Sequence, residues 1–471
     1  MQGFKRISQP VSQPESEKGG SFMKRLNLFG FSLLMGILLF AASSPASAED
    51  EIRFGIIGPM RFSYGQEQWN GAQMAADEIN EAGGIKVGNK KMKITVIKAD
   101  SNEFFSIAAA ASAMEQLILR DKCNFVLGGL TSEATLAMQD VAMDHKTIFF
   151  SAGPAHPQLC DRVAENYARY KYYFRGTPFN SNYLQKNILN QLRSISVAMK
   201  KQLNIESFKI AILAEKALWV DPIVKEFETT LPKMGMEVVG TWRPQPTAKD
   251  LMAELKAIEA TNCHIIMAVI NGPAGVTLGR QYGELKIPAV IMGIISQAST
   301  LKYYEATQKM ADYVVTLGTY TPELEINELT QPFIKEYMKR YNEVPQYTAN
   351  THQIIKYAIK QAIEDVGSLD PEKLIPYLES GITKIPAGVA ASARDELGRP
   401  THDLVWGPNY TVGIGEQWQE GKLVAIWPHF KWMSPYWEFS VEPPDKPNEM
   451  TYKGLYPFKI APWVLQAYGK K

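Results

Sequence analysis

The sequence predicts an α/β protein of two Rossmann-like lobes, each with a parallel sheet. Three observations carry this. Short apolar runs alternate with helical patterns from Glu51 onward, as right-handed βαβ units require. The alternation pauses and restarts near residue 207. Both halves also contain the same ordered run of helix, short turn, cysteine, apolar strand and glycine, in "MEQLILRDKCNFVLGG" and "LKAIEATNCHIIMAVING". That reads as two copies of one unit.

Each element follows from local pattern. "IRFGIIGPM" is a strand, and "GQEQWNGAQMAADEINEAGG" is a helix stopped by Gly83-Gly84, a C-terminal stop signal. "MKITVIKAD" is the next strand and "SIAAAASAMEQLILRD" the next helix. "CNFVLGG", "SEATLAMQDVAMD" and "KTIFFSAG" then read strand, helix, strand. After the restart, "SFKIAILAEK" is a strand followed by a helix over 221–234. "MEVVGTWRP", "AKDLMAELKAIEATN" and "CHIIMAVING" continue as strand, helix, strand. "VVTLGTYTPEL" reads as a strand leaving the second unit, and two long helical patterns follow it. Residues 389–416 are Gly/Pro-rich with hairpin-like strands. The tail, 441–471, carries five prolines and is expected to wrap the surface.

A chain of 471 residues is too long for one ordinary domain. Its apolar content of 45% and charged content of 21% are those of a globular protein with a large core. Met23-Lys24-Arg25, an apolar run over 26–42 and Ala46-Ser47-Ala48 have the order of a secretory signal peptide. It spans 23–48, behind an upstream extension, 1–22. The run is short for a membrane span of roughly 20 residues, which disfavours an uncleaved anchor. No cysteine follows it, which disfavours a lipid anchor. The expected product is cleaved after Ala48, lies in the periplasm and does not insert into the membrane. Its net charge is about −2 by residue count, with no basic stripe of the kind nucleic-acid binding needs.

Cys123, Cys160 and Cys263 make no disulfide framework; buried free thiols are expected. No phosphate loop or nucleophile elbow occurs, and the six histidines fit no metal spacing. Neither an enzyme, a metal site nor a cofactor is expected. What remains is a binding module.

Together "SYGQEQWNGAQMAADEINEAGGI", "FVLGGLTSEAT", "FFSAGPAHPQL", "YYFRGTPFNS" and "FKIAILAEKALWVDPIVKEFE" resemble the type I periplasmic substrate-binding proteins of the leucine/isoleucine/valine-binding family. The resemblance runs from Glu49 to about Gly421. It implies two lobes joined by three crossovers, near 175–178, 317–321 and 385–389. The first lobe would hold 49–175 and 320–385, the second 176–319 and 386–440. It also implies a small ligand bound by cleft closure and an ABC permease as partner. A ligand sensor of the same fold is the alternative.

The stretch Gly128-Gly129-Leu130-Thr131-Ser132-Glu133 carries the most chemistry. A strand ends, and a helix begins with free N–H groups that favour an anion. Thr131 or Ser132 is either a plain cap or a ligand contact, and Glu133 suits the helix dipole. The resemblance implies that Ser132 and the nearby amides hold a ligand carboxylate, that the Gly153-Pro154-Ala155 loop adds a contact, and that Tyr64 lies at the cleft. Arg61 is either solvated or meets a ligand carboxylate. Trp219, Asn271 and Ser296 map to second-lobe contacts.

Two departures concern the ammonium of an amino-acid ligand. The family's threonine hydroxyl falls at Ala155, and its glutamate falls at Ile295. A buried unpaired ammonium is costly, so a carboxylate or amide without an α-ammonium is expected. Trp219 and Tyr64 would give it flat apolar walls. Six of the nine tryptophans fall at 406, 418, 427, 432, 437 and 463. A packing role is expected for them.

Overall fold

The computed structural model describes residues 51–407, 409–433, 436–440 and 452–470. The extension 1–22, the leader 23–48, the tail stretch 441–451 and the side chains of Trp432 and Trp437 lie outside what is described.

The first lobe opens with β1 (Glu51–Gly58), α1 (Ser63–Glu81), β2 (Ile85–Val87), β3 (Lys90–Asp100), α2 (Ile107–Leu119) and β4 (Phe125–Gly128). It continues with α3 (Ser132–Asp144), β5 (Ile148–Ser151), α4 (Gln158–Glu165), α5 (Tyr167–Tyr170) and β6 (Tyr173–Arg175). The sheet order is β2-β3-β1-β4-β5-β6. Every pairing is parallel except the β2–β3 hairpin. β4 and β5 are buried at all four positions, which explains their unbroken apolar runs. The strand order reverses at β1, so a crevice opens beyond the carboxyl ends of β1 and β4.

The second lobe repeats the plan. It contains α6 (Ser181–Leu203), β7 (Phe208–Ala214), α7 (Asp221–Lys233), β8 (Met236–Trp242), α8 (Met252–Ala260), β9 (Ile265–Ile270), α9 (Ala274–Leu285) and β10 (Val290–Ile295). Its order, β10-β9-β7-β8, reverses between β7 and β9. The repeat seen in the sequence is thus a repeat of topology, with one crevice per lobe.

After the short α10 (Tyr303–Ala306), β11 (Val315–Gly318) leaves the second lobe. A side chain splices β11 to the sheet. The Thr316 hydroxyl accepts from the Ile295 amide at 2.9 Å and donates to its carbonyl at 3.1 Å. The chain then returns to the first lobe through α11 (Thr330–Tyr341), α12 (Thr351–Gln353), α13 (Lys360–Val366) and α14 (Pro371–Ser380). A π-helical stretch, Ile354–Ile359, joins α12 to α13.

The next strands differ from the expected grouping of 386–440 with the second lobe. β12 (Ile382–Ile385), β13 (Gly388–Arg394) and β14 (Pro400–Leu404) form an antiparallel sheet. It packs on α14, α4 and β6 of the first lobe. A buried ion pair, Arg175 Nε to Asp403 Oδ1 at 3.0 Å, fastens it there. The hairpin follows α14 at once and pairs with itself. Its partner sheet was not readable from a Gly/Pro-rich segment. The chain enters the second lobe only with β15 (Ile414–Gln419), which pairs with β11, and β16 (Lys422–Trp427).

The described part of the tail packs on the second lobe. Lys453 bridges to Glu325, and the Trp463 indole in the last helix, Pro462–Ala467, donates to Ile287 O at 3.0 Å. Trp418 and Trp427 are fully buried, in keeping with packing. All three cysteines are free and buried. Among the described residues no helix is long and apolar enough to cross a membrane.

Candidate functional site

The carboxyl ends of both sheets meet around a small cavity. It is lined by Leu130, Gly153 and Ala155 from the first lobe and by Trp219, Asn271, Ile294 and Ser296 from the second. Phe179, Leu184, Ser299, Leu317, Gly318 and Tyr347 complete it. Its volume is about 30 Å³, room for roughly two waters. A larger groove, about 390 Å³, shares Leu130, Trp219 and Asn271 with it and adds Thr131, Glu133 and Glu215.

The cleft is shut by hydrogen bonds between lobes. Tyr64, in the first turn of α1, donates its hydroxyl to Asn271 O at 2.5 Å and accepts from Gln297 Nε2 at 2.9 Å. Glu133 accepts the Leu218 amide at 2.8 Å. The Tyr347 hydroxyl reaches Asn271 Oδ1 at 3.2 Å. Ser181, at the start of α6, lies within hydrogen-bonding distance of Ala155 O and Trp219 O, at 3.0 and 2.7 Å. Glu133 therefore does more than suit a dipole: it is an inter-lobe latch.

The turn after β4 needs its two glycines. Gly128 and Gly129 have φ of 126° and 76°, a region that side chains avoid. A Cβ on Gly128 would stand 1.9 Å from Ile57 O. The turn delivers Thr131 to the Ncap of α3, yet neither hydroxyl caps it. The free amides of Leu130 and Thr131 instead bond Glu103 Oε2, at 2.9 and 2.5 Å. Ser101 donates to the other oxygen at 2.6 Å. The expected anion at this helix end is therefore a carboxyl of the chain itself, and burial pushes the Glu103 carboxyl up.

The nine site candidates divide. Gly153, Ala155, Trp219, Asn271 and Ser296 all line the cavity, and Tyr64 bolts across it. Thr131 lines the outer groove. Ser132 is fully buried, and its hydroxyl accepts the His156 amide at 3.2 Å, so it is spent inside the first lobe. Arg61 is 73% exposed and faces Asp100 at 3.4 Å. It lines a separate groove with Glu67, Gln297 and Lys302. The turn between β1 and α1 leaves its side chain outside the cavity.

Sequence reasoning missed the buried acids around the cavity. Glu215, just past β7, accepts the Gly272 amide at 2.8 Å and the Trp219 indole at 3.2 Å. Burial pushes it up to about 7, held back by the Gly272 amide and the indole. Glu67 is bonded by Thr348, and burial pushes it up to about 8. No histidine, lysine or arginine lines the cavity among the described residues. No cluster there could hold a metal ion either.

A family model described as "Periplasmic binding protein" matches residues 51–406. Leu/Ile/Val-binding protein homolog 7 of Brucella suis is 22% identical over 407 residues, 83% of this chain and 94% of the relative. A putative branched-chain amino acid ABC transporter structure from Silicibacter pomeroyi superposes with a TM-score of 0.69 at 20% identity, covering 88% of this chain and 100% of that one. An ABC-transporter solute-binding protein from R. palustris, in complex with benzoate, gives 0.63 at 16% identity over 80% and 95%. These likenesses of structure are likenesses of fold.

Proposed function

The chain belongs to the periplasmic binding protein family, and from that premise we propose that it is the extracytoplasmic receptor of an ABC importer, capturing a small solute by cleft closure. It is exported by its leader, cleaved after Ala48, and presents the closed form to a permease. The observation that carries this reading is the pair of switch-point crevices facing one cavity. Each lobe supplies half a wall, so binding and closure are one event.

Of the two ligand types expected, the amide is favoured over the carboxylate. A buried anion needs a cation or several donors. The cavity offers no basic side chain among the described residues. The donors at the start of α3 already serve Glu103, and Glu215 stands behind Trp219. A short, uncharged amide meets none of that repulsion. Its apolar end suits Trp219, Phe179 and Leu184, and its polar end suits Asn271, Ser296 and Ser299. Calorimetry with acetamide, propionamide, urea, butyrate, benzoate and leucine tests this. Amides are expected to bind and the acids not to. Tight binding of benzoate or leucine with no response to amides refutes it.

A further inference from the structure

Two loops of the second lobe reach both the cavity and the first lobe. One leaves β7 and carries Trp219; the other leaves β9 and carries Asn271. The closing contacts land on the same loops. The Leu218 amide bonds Glu133, and Asn271 takes both Tyr64 and Tyr347. One buried side chain joins the two loops. Glu215 accepts the Trp219 indole N–H on Oε1 at 3.2 Å and the Gly272 amide on Oε2 at 2.8 Å. The Asn271 amide also lies within reach of this carboxyl.

Other bonds fix these loops at their roots. Arg243 holds the Glu215 carbonyl at 2.9 Å, and the Lys216 amide bonds Pro244 O at 2.9 Å. On the second loop the Ala274 amide bonds Pro246 O at 2.9 Å. A Cβ on Gly272 would stand 2.2 Å from that same Pro246 O, so the turn lies flat against residue 246. The carboxyl of Glu215 holds the parts that these bonds leave out, the indole ring and the turn beside Asn271. Both of its partners belong to its own lobe. When the lobes part as rigid bodies, the contacts to Glu133, Tyr64 and Tyr347 are lost while the Glu215 bonds stay. Two donors need two acceptors at once. An ionised carboxylate supplies them, whereas a glutamine supplies one and sets its NH2 against the second donor.

We propose that Glu215 is the positioning residue of the second lobe, holding Trp219 and Asn271 in their closed arrangement before the lobes meet. It acts through those two residues and is not itself part of the cavity wall. Ligand and first lobe then find both loops already set, which lowers the ordering cost of binding. The proposal rests on the cavity being the ligand site and adds what preorganises its second half.

The test uses the full mature chain, with acetamide and propionamide as probes. In the ligand-free protein, the Trp219 indole N–H resonance is assigned by its loss in Trp219→Phe. It should shift upfield in Glu215→Gln. Calorimetry should show the amides weakened about tenfold by Glu215→Gln, since one buried donor loses its acceptor. In Trp219→Phe only the Gly272 amide is left to satisfy, and one acceptor is enough. Adding Glu215→Gln to that variant should therefore cost less than about twofold. Equal losses in the two backgrounds overturn the proposal, because Glu215 would then act independently of Trp219. An indole resonance unmoved by Glu215→Gln overturns it too. So does a lowered melting temperature with amide affinity unchanged, which would make Glu215 a structural acid alone. The double variant should fold even where Glu215→Gln by itself does not, and its failure to fold also counts against the proposal. If the wild type binds no amide, the amide reading fails, while the indole resonance still decides the role of Glu215.

Discussion

Tyr64→Phe tests whether closure is part of affinity. The change deletes one hydroxyl that donates to Asn271 O and accepts from Gln297 Nε2. Both partners belong to the other lobe. In an open cleft, water satisfies all three groups, so the loss falls on the closed form. Each hydrogen bond contributes about 0.5–1.5 kcal/mol net. Two give about 2 kcal/mol, which is roughly a 30-fold change in the closing equilibrium. Calorimetry should therefore show every ligand weakened by a similar factor, with the ranking among ligands unchanged. Small-angle scattering should show a larger radius of gyration at subsaturating ligand. The melting temperature of the empty variant checks that the first lobe still folds. Affinity within twofold of wild type would mean that Tyr64 is packing alone. A loss confined to one ligand would mean that it reads the ligand directly.

Other variants separate the remaining roles. Ser132→Ala should cost about 1 kcal/mol of stability, the bond to the His156 amide, and leave ligand ranking unchanged; chemical denaturation and calorimetry check both. Glu103→Ala frees the Leu130 and Thr131 amides, so the variant should bind butyrate or benzoate better than the wild type does. For pH, the raised carboxyls set the sign. Glu67 at about 8 and Glu215 at about 7 hold protons in the folded chain that the unfolded chain has released. Their stability contribution is full below the unfolded carboxyl range and is lost as pH rises through the folded values. The histidines that burial holds low act oppositely but have finished titrating above about pH 7. Melting temperature should thus fall from about pH 7 to about pH 8.5, and Glu67→Gln should flatten that fall.

The strand–helix alternation was legible because burial imposes it. β4, β5, β9 and β10 are buried at every position, and such strands read as unbroken apolar runs. The glycine pair at Gly128-Gly129 was legible for a similar reason, since the turn admits no Cβ. Six candidates reached the cleft because they sit just past strand ends, where topology sends residues whatever their chemistry. The acids were not legible. Glu103 meets Leu130 across 27 residues of chain, and Glu416 meets Gly318 only because β15 pairs with β11. Local pattern holds no trace of such a pairing. The helix start over 131–133 showed an appetite for an anion, but not that a neighbouring loop already fills it.

The Thr316 splice decides where the molecule bends. Its hydroxyl bonds both polar groups of Ile295, so the chain at Thr316 is tied to the second sheet. Beyond it come Leu317, Gly318 and the threonines at 319 and 321, whose hydroxyls have no partner. Rotation between the lobes has to bend this short tether. Gly318 in the tether underlies the buried Glu416 carboxyl, so the tether bends against β15.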